Sequence, residues 1–260
     1  MNLDLNGKRA LVCGATQGIG KASAMELAKL GASVTLLARN EDSLKATLTE
    51  LPQHGQIHHY LVADFNDSVD LKKKIENYLE KETVNILLNN TGGPPGGPIT
   101  EARVDEFLSA FNNHLVCNHI LTQACIQGMK KSGYGRIINI ISTSVKQPLK
   151  GLGVSNTIRA AVGNWSKTMS LELAPFSITV NNVLPGATNT QRISGLLKSK
   201  AQSSGKSEKE LEQEMMDEIP MRRFADPSET AAAVAFLASP AAAYITGVNL
   251  PVDGGRTGCL

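Results

Sequence analysis

Gly14-Ala15-Thr16-Gln17-Gly18-Ile19-Gly20 is the stretch on which the reading of this chain turns. It follows directly on the apolar run Ala10–Val12 and opens a segment of helical periodicity, Lys21–Leu30. Glycines in such a turn permit backbone conformations barred to other residues and let the chain approach a pyrophosphate closely. The start of the following helix adds unpaired N–H groups and a partial positive charge. Strand, glycine turn and helix in this order predict a dinucleotide phosphate site at Gly14, Thr16, Gln17, Gly18, Ile19 and Gly20.

Outward from that turn the same alternation repeats. Short runs rich in Val, Ile and Leu recur at Ala10–Val12, Val34–Leu37, His59–Val62, Asn85–Leu88, Ile137–Ile141, Thr179–Val183 and near Val248–Val252. Each reads as a strand buried on both faces. Between them Lys21–Leu30, Glu41–Leu51, Val69–Glu80, Val104–Lys130, Arg159–Leu173 and Glu229–Ala238 carry helical periodicity. Strand alternating with helix predicts an α/β fold, a single doubly wound parallel sheet of about seven strands, Rossmann-like, with helices on both faces. At 260 residues the chain is expected to form one domain, 1–260. The segment Ser194–Glu218 is polar and charged, with Gly195 and Gly205 and few strand formers. It reads as a helical lid at about 190–220, inserted after the sixth strand where ligands bind in such sheets. A mobile surface excursion is the competing reading.

Composition narrows the function classes. Hydrophobic residues make up 42% and charged residues 19%, with a net charge of +2 and no block of one sign, so the chain is not of the disordered class. Its Lys and Arg are scattered among nearly as many Asp and Glu, which argues against a nucleic-acid surface. Met1–Lys8 lacks a targeting pattern and no apolar run approaches the ~20 residues of a membrane span, so a cytoplasmic location is expected. Cys13, Cys117, Cys125 and Cys259 are far apart and without ligand spacing, so neither disulfides nor a metal site is expected.

The end of the second strand selects between cofactors. An acid there binds a ribose 2′-hydroxyl and repels a 2′-phosphate. This chain has Ala38, Arg39 and Asn40 instead, and an arginine fork suits a phosphate, so NADP(H) is expected over NAD(H). A surface arginine without a role is the alternative for Arg39.

Further pieces match one family. Besides the glycine turn they are Asp64 after the third strand, Asn89-Asn90-Thr91-Gly92 after the fourth and Pro185-Gly186 after the sixth. Ile245-Thr246-Gly247 and Val252-Asp253-Gly254-Gly255 match its C-terminus. Over essentially its whole length the chain resembles the short-chain dehydrogenase/reductase family, and within it the 3-oxoacyl-carrier-protein reductase type. The resemblance implies that Asp64, with Phe65 beside it, meets the adenine, and that Asn90 and Gly92, with Thr91 between them, line the adenosine ribose. It places Pro185, Gly186 and Thr188 beside the nicotinamide. It also implies a homo-oligomer, dimer or tetramer, built through the helices Val104–Lys130 and Arg159–Leu173, and a small carbonyl or acyl substrate.

The catalytic positions depart from the family. The resemblance implies a Ser that polarises the carbonyl, a Tyr that supplies the proton, a Lys four residues later and an Asn on the long preceding helix. Ser142 matches the first, with a strand-ending hydroxyl in a turn as the alternative. Ser155 stands at the Tyr position, Arg159 at the Lys position and His114 at the Asn position, unless a one-residue shift brings Asn113 there. A serine hydroxyl is far too weak an acid to replace a tuned phenol, and losing general acid catalysis typically costs about 10²–10⁴ in rate. Arg159 lies one helical turn after Ser155 and suits holding a ribose, a solvated or ion-paired arginine being the other reading. His114 is a candidate replacement acid, a histidine packed between helices the other. Two functions follow as expectations: an NADP(H)-dependent carbonyl or 3-oxoacyl reductase with an atypical site, or a catalytically weak NADP(H)-binding sensor or oligomer partner.

Overall fold

A computed structural model describes residues 1–259; Leu260, the last residue of the expected domain, and the side chain of Ser203, inside the expected lid, lie outside the described residues. The elements run β1 (Arg9–Cys13), α1 (Gly18–Lys29), β2 (Ser33–Ala38), α2 (Glu41–Glu50), β3 (His59–Val62), α3 (Ser68–Leu79) and β4 (Ile86–Asn89). They continue with α4 (Val104–Phe111), α5 (Cys117–Ser132), β5 (Gly135–Ile140), α6 (Gly153–Leu173), β6 (Ile178–Pro185), α7 (Gln191–Ser204), α8 (Glu208–Asp217), α9 (Pro227–Ala238) and β7 (Asn249–Val252). All seven strands are parallel in one sheet, as the alternation predicted, and the structure sets their order as β3-β2-β1-β4-β5-β6-β7. The chain reverses its direction of travel between β1 and β4, and such a switch leaves a crevice at the carboxyl ends of the strands.

The period of two along each strand divides the core between the sheet faces. Ala10 and Val12 of β1 pack with Ala24, Leu27, Val234 and Leu237 of α1 and α9. Leu11 and Cys13 pack on the other face with Leu71 and Ile75 of α3 and with Leu121 and Met129 of α5. Each fully buried leucine among them is worth about 1.5–3 kcal/mol of transfer free energy. The glycine turn is thus anchored to a strand that cannot shift without exposing both cores.

Three helices differ from the periodicity reading. The first starts at Gly18 rather than Lys21, so two glycines of the turn belong to its first turn. The helix read from Arg159 starts at Gly153, which carries Ser155 onto the same helix. The span Val104–Lys130 is two α-helices joined by a π-turn at Asn112–Val116. A π-turn adds a residue to one turn without disturbing the apolar pattern on either side, so periodicity does not reveal it. Asn112 Nδ2 donates to the Phe65 carbonyl at 2.7 Å and Cys117 Sγ to the same oxygen at 3.3 Å, fixing the bulge to the end of β3.

A buried amide ladder crosses the sheet toward its C-terminal edge. Asn89, Asn139, Asn182 and Asn249 are register partners on β4, β5, β6 and β7. Asn89 Nδ2 donates to Asn139 Oδ1 at 2.8 Å, Asn139 Nδ2 to Asn182 Oδ1 at 3.0 Å, and Asn182 Nδ2 to Asn249 Oδ1 at 2.8 Å. Ser166 on α6 accepts from Asn139 at 2.9 Å and donates to Asn182 at 2.7 Å. A buried polar group stripped of its partner costs about 1–3 kcal/mol, and Asn139→Ala strips more than one. The expected result is a loss of about 2–4 kcal/mol of unfolding free energy, read from urea denaturation. A loss under about 0.5 kcal/mol would show that the ladder is not a structural element.

Candidate active site

The glycine turn leads from β1 directly into the N-terminus of α1. Gly14 has φ +59°, a left-handed conformation that disfavours any side chain, and Asn90 Nδ2 donates to the carbonyls of Cys13 and Gly14 at 3.1 and 3.4 Å. Asn90 therefore ties the end of β4 to the turn and does not merely border it. The N-terminus of α1 carries no side-chain cap and no acidic residue in its first turn, which leaves its N–H groups free for an anion. Thr16 and Gln17 are accessible above it, while Ile19 packs against the core and holds the helix in place.

The other expected cofactor positions fall along the same edge. Arg39, at the end of β2, is exposed, and among the described residues its guanidinium has no partner. Asn40 follows it, and its Oδ1 accepts from Ser43 N at 2.8 Å and caps α2. Asp64 turns Oδ1 to the backbone and side chain of Asn66, both at 3.0 Å. Phe65 is buried, and Thr91 and Gly92 follow β4, with nothing within 4 Å of a Cβ built on Gly92. Pro185 ends β6, Gly186 lies against Asp253, and Thr188 Oγ1 donates to the Gly186 carbonyl at 3.2 Å. These residues fit a bound dinucleotide: a phosphate cradle at β1, a free cation at β2 and an uncovered path along β4.

Three of the four catalytic candidates converge at the ends of β5 and α6. Ser142 follows β5, and its Oγ accepts from Ser144 N at 3.1 Å, which leaves its O–H to donate outward. Arg159 is buried, only 8% exposed, and Nη1 donates to the Ile140 carbonyl at 2.8 Å, at the strand end two residues before Ser142. Burial, and Arg192 beside it, push the Arg159 pKa down to about 10, so it is still charged at neutral pH. Ser155 lies one turn earlier on α6, nearly buried, with no hydrogen-bond partner among the described residues.

His114 sits in the π-turn, 2% exposed, hydrogen-bonded to the backbone of Gly92. Burial, then the charges of Arg159 and Arg192, pull its pKa down to about 2. The ring is neutral at physiological pH. Asn113, the shifted alternative, donates to Asn66 Oδ1 at 3.1 Å and is engaged there.

The depressed pKa has a consequence for stability. Below pH 6.5 the unfolded chain binds a proton at this histidine that the folded chain refuses, so stability falls as pH falls. The slope approaches about 1.4 kcal/mol per pH unit until the folded pKa is reached. His114→Gln is expected to flatten the stability–pH curve between pH 6 and 4, measured by urea unfolding at each pH; an unchanged slope would mean the histidine titrates normally.

No tyrosine stands in for the missing phenol. Tyr60 donates to Glu41 at 2.9 Å, Tyr134 donates to the Ala238 carbonyl at 2.6 Å, and Tyr78 shares a hydrogen bond with Thr35 at 2.7 Å. Tyr244 is fully exposed on the surface. Among the described residues no group of three His, Cys, Asp or Glu is placed to hold a metal ion.

Arg192 was not among the residues singled out from sequence. At the start of α7 its Nη1 donates to the Gly93 carbonyl at 3.0 Å and its Nη2 to the Pro94 carbonyl at 2.6 Å, across 99 and 98 residues. Its only sequence signal is that it is the sole basic residue between Pro185 and Lys198.

Known proteins match this chain over nearly its whole length. The family model described as enoyl-(acyl carrier protein) reductase matches residues 14–257. The chain is 32% identical to the NADPH-dependent reductase BacG of Bacillus subtilis, covering 96% of this chain and 98% of that one. It is 34% identical to the 3-oxoacyl-[acyl-carrier-protein] reductase FabG of Vibrio harveyi, covering 97% and 98%. The L-sorbose reductase of Gluconobacter frateurii, solved with NADPH and L-sorbose, superposes with a TM-score of 0.93 at 30% identity over the full length of both chains. With the glycine cradle, the single parallel sheet and matches of this extent, the chain belongs to the short-chain dehydrogenase/reductase family.

Proposed function

We propose that this protein is an NADP(H)-dependent reductase of carbonyl or 3-oxoacyl groups with an altered proton-supplying position. The observation that carries the reading is the Ser142 hydroxyl. It is held by Ser144 N–H at the end of β5 and faces the same sheet edge as the glycine cradle. The NADPH-dependent relatives support the choice of cofactor, and Arg39, exposed and unpaired among the described residues, supplies a cation for a 2′-phosphate.

When bound, NADPH supplies a hydride to the carbonyl carbon, and a proton taken up at oxygen completes the alcohol. Gly14 and the free N–H groups of α1 hold the pyrophosphate, and Asn90 keeps that turn open. Ser142 donates to the carbonyl oxygen as negative charge grows there. Arg159, fixed by the Ile140 carbonyl, lends positive charge to the same region. With no phenol at position 155, water supplies the proton in this reading, about 10²–10⁴ more slowly than a tuned acid would. Orientation of the two reactants alone still contributes about 7–11 kcal/mol.

The helices α7 and α8 form the lid of this reading. Arg192 ties α7 to the Gly93–Pro94 loop, and Ile193, Leu197 and Leu211 bury the underside of the pair. We place the described residues, 1–259, in one functional domain around that site. Among the described residues no helix is long and apolar enough to cross a membrane, and the four cysteines are free thiols, which suits the reducing cytoplasm. Exposed Val104 and Leu108 on α4 and Leu171 on α6 lie on the helices through which we place a homo-oligomer, a dimer or tetramer. Sedimentation is expected to give a species of at least two chains, which Leu108→Asp with Leu171→Asp splits; a monomeric parent would end this part of the proposal.

The second reading, a catalytically weak NADP(H)-binding sensor, is favoured by the neutral His114 and by Ser155. One experiment separates the two. NADPH oxidation is followed over a panel of ketones and 3-oxoacyl thioesters, alongside thermal shifts with NADPH and NADH. Turnover, with greater stabilisation by NADPH, is expected. Stabilisation without turnover on any carbonyl would favour the sensor, and no stabilisation by either cofactor would defeat both readings.

A further inference from the structure

Two guanidinium groups meet at the mouth of the site from distant parts of the chain. A Cβ built on Gly93 would lie 3.1 Å from Nη2 of Arg192 and 3.7 Å from Nη2 of Arg159. Arg192 is exposed and directs its fork to two carbonyls. Arg159 is buried, spans to the Ile140 carbonyl through Nη1, and keeps its Nε buried without a partner. Carbonyl dipoles satisfy hydrogen bonds but do not cancel charge. The ion pairs among the described residues engage Arg9, Arg103, Arg222, Arg223 and Arg256, and neither of these two. His114, the third basic group in contact with this region, is neutral and so adds neither charge nor an acid.

Such a pair is incomplete on its own. Like charges at short range in a partly dry site repel, and an anion between them turns both into attractions. The phosphates of a dinucleotide already have a cradle of their own at the ends of β1 and β2, whereas this pair stands over the Gly93–Pro94 loop and the end of β5. Ser142, the donor to a carbonyl oxygen, lies two residues beyond the strand end to which Arg159 is anchored. A molecule holding a carboxylate against the arginines brings a carbonyl one or two carbons away toward that serine.

We propose that Arg159 and Arg192 receive a carboxylate of the substrate, so that this chain acts on oxo acids in preference to neutral ketones or esters. The inference deepens the reductase reading and rests on it for the reaction: hydride from NADPH to the carbonyl carbon and a proton from water to the oxygen, giving the hydroxy acid and NADP+. Arg192 sets the preference, since a planar fork matches a carboxylate in a way a point charge does not.

The test pairs a kinetic and a binding measurement on the full chain. Acetoacetate and its methyl ester are compared by NADPH oxidation, and malonate, which is not reduced, is titrated calorimetrically at saturating NADP+. The parent is expected to prefer the acid by about tenfold or more in kcat/KM, as one charge-assisted hydrogen-bonded pair gives. Arg192→Gln should lose that preference mainly through a higher KM for the acid, and lose malonate binding. Arg192→Lys should keep part of both. Lys74→Gln, which removes a surface charge paired with Asp70 on α3, should behave as the parent. An unaltered thermal shift with NADPH confirms that the variants are folded. Equal use of acid and ester by the parent, without malonate binding, overturns the inference while ester turnover leaves the reductase reading standing. Malonate binding that depends on Arg192, with no turnover of either compound or of any carbonyl in the wider panel, supports the anion site and favours the sensor over the reductase reading. If Arg192→Gln weakens NADPH binding and leaves the acid-to-ester ratio unchanged, the pair serves the cofactor and the proposal is overturned.

Discussion

Gly20→Ala is expected to raise the NADPH dissociation constant by at least about 100-fold and to remove the cofactor's thermal stabilisation. A Cβ at this position would stand 2.1 Å from the Gly14 carbonyl oxygen and 2.7 Å from Asn90 Nδ2. Both are parts that cannot yield. Gly14 follows β1, whose side chains are buried on both faces of the sheet, and Asn90 Nδ2 is held by the Cys13 and Gly14 carbonyls. Overpacking of this kind costs about 1–3 kcal/mol in stability and occasionally more. The larger loss falls on binding, because relief of the clash moves the turn away from the helix N-terminus that it must share with a phosphate. Two tenfold steps correspond to about 2.7 kcal/mol, within what that displacement removes. The contrast is Gly195→Ala on α7, where nothing lies within 4 Å of the new Cβ and the change should be neutral or slightly stabilising. Fluorescence titration with NADPH measures both variants, and equal affinity in Gly20→Ala would remove the glycine turn from the cofactor site.

Ser142→Ala is expected to lower kcat/KM for any carbonyl that is turned over by about 10²–10³, with cofactor affinity unchanged. A hydrogen-bond donor aimed at a developing oxyanion is worth about 2.7–4 kcal/mol when removed. Here Ser144 N–H occupies the Ser142 oxygen, which directs the hydroxyl proton away from the backbone and toward the site. The interaction strengthens as charge forms, so the loss belongs in kcat rather than in KM. Ser155→Ala, by contrast, should change kcat/KM by less than about fivefold, because an aliphatic hydroxyl with its high pKa transfers little proton in the transition state. Reversal of that order, with Ser155 the more sensitive, would place the oxyanion contact on α6 and not at the end of β5.

The same two serines show how far a linear reading reaches. Ser142 was legible because it closes an apolar strand at the position the family uses, and the structure sets it at the end of β5. Arg39 was legible because strand ends in a doubly wound sheet lie on one edge by topology alone. His114 was legible as a departure from the family, but its protonation was not. That depends on its burial between the π-turn and α6 and on two arginines placed beside it by the fold. The capping of α2 by Asn40 was not part of the strand-end reading and is seen only in the structure.

Periodicity was enough, by itself, for the parallel sheet and its approximate strand count, and the short motifs at the strand ends were enough for the resemblance to the family, because each is written in neighbouring residues. A strand buried on both faces or a turn that admits only glycine leaves its mark within about ten positions. The tertiary structure alone decided what happens where distant segments meet: the amide ladder through Asn89, Asn139, Asn182 and Asn249, the neutral ring of His114, and the convergence of Arg159 with Arg192. Desolvation and charge–charge interaction depend on through-space distance and on exclusion of water, and neither quantity is a function of spacing along a chain.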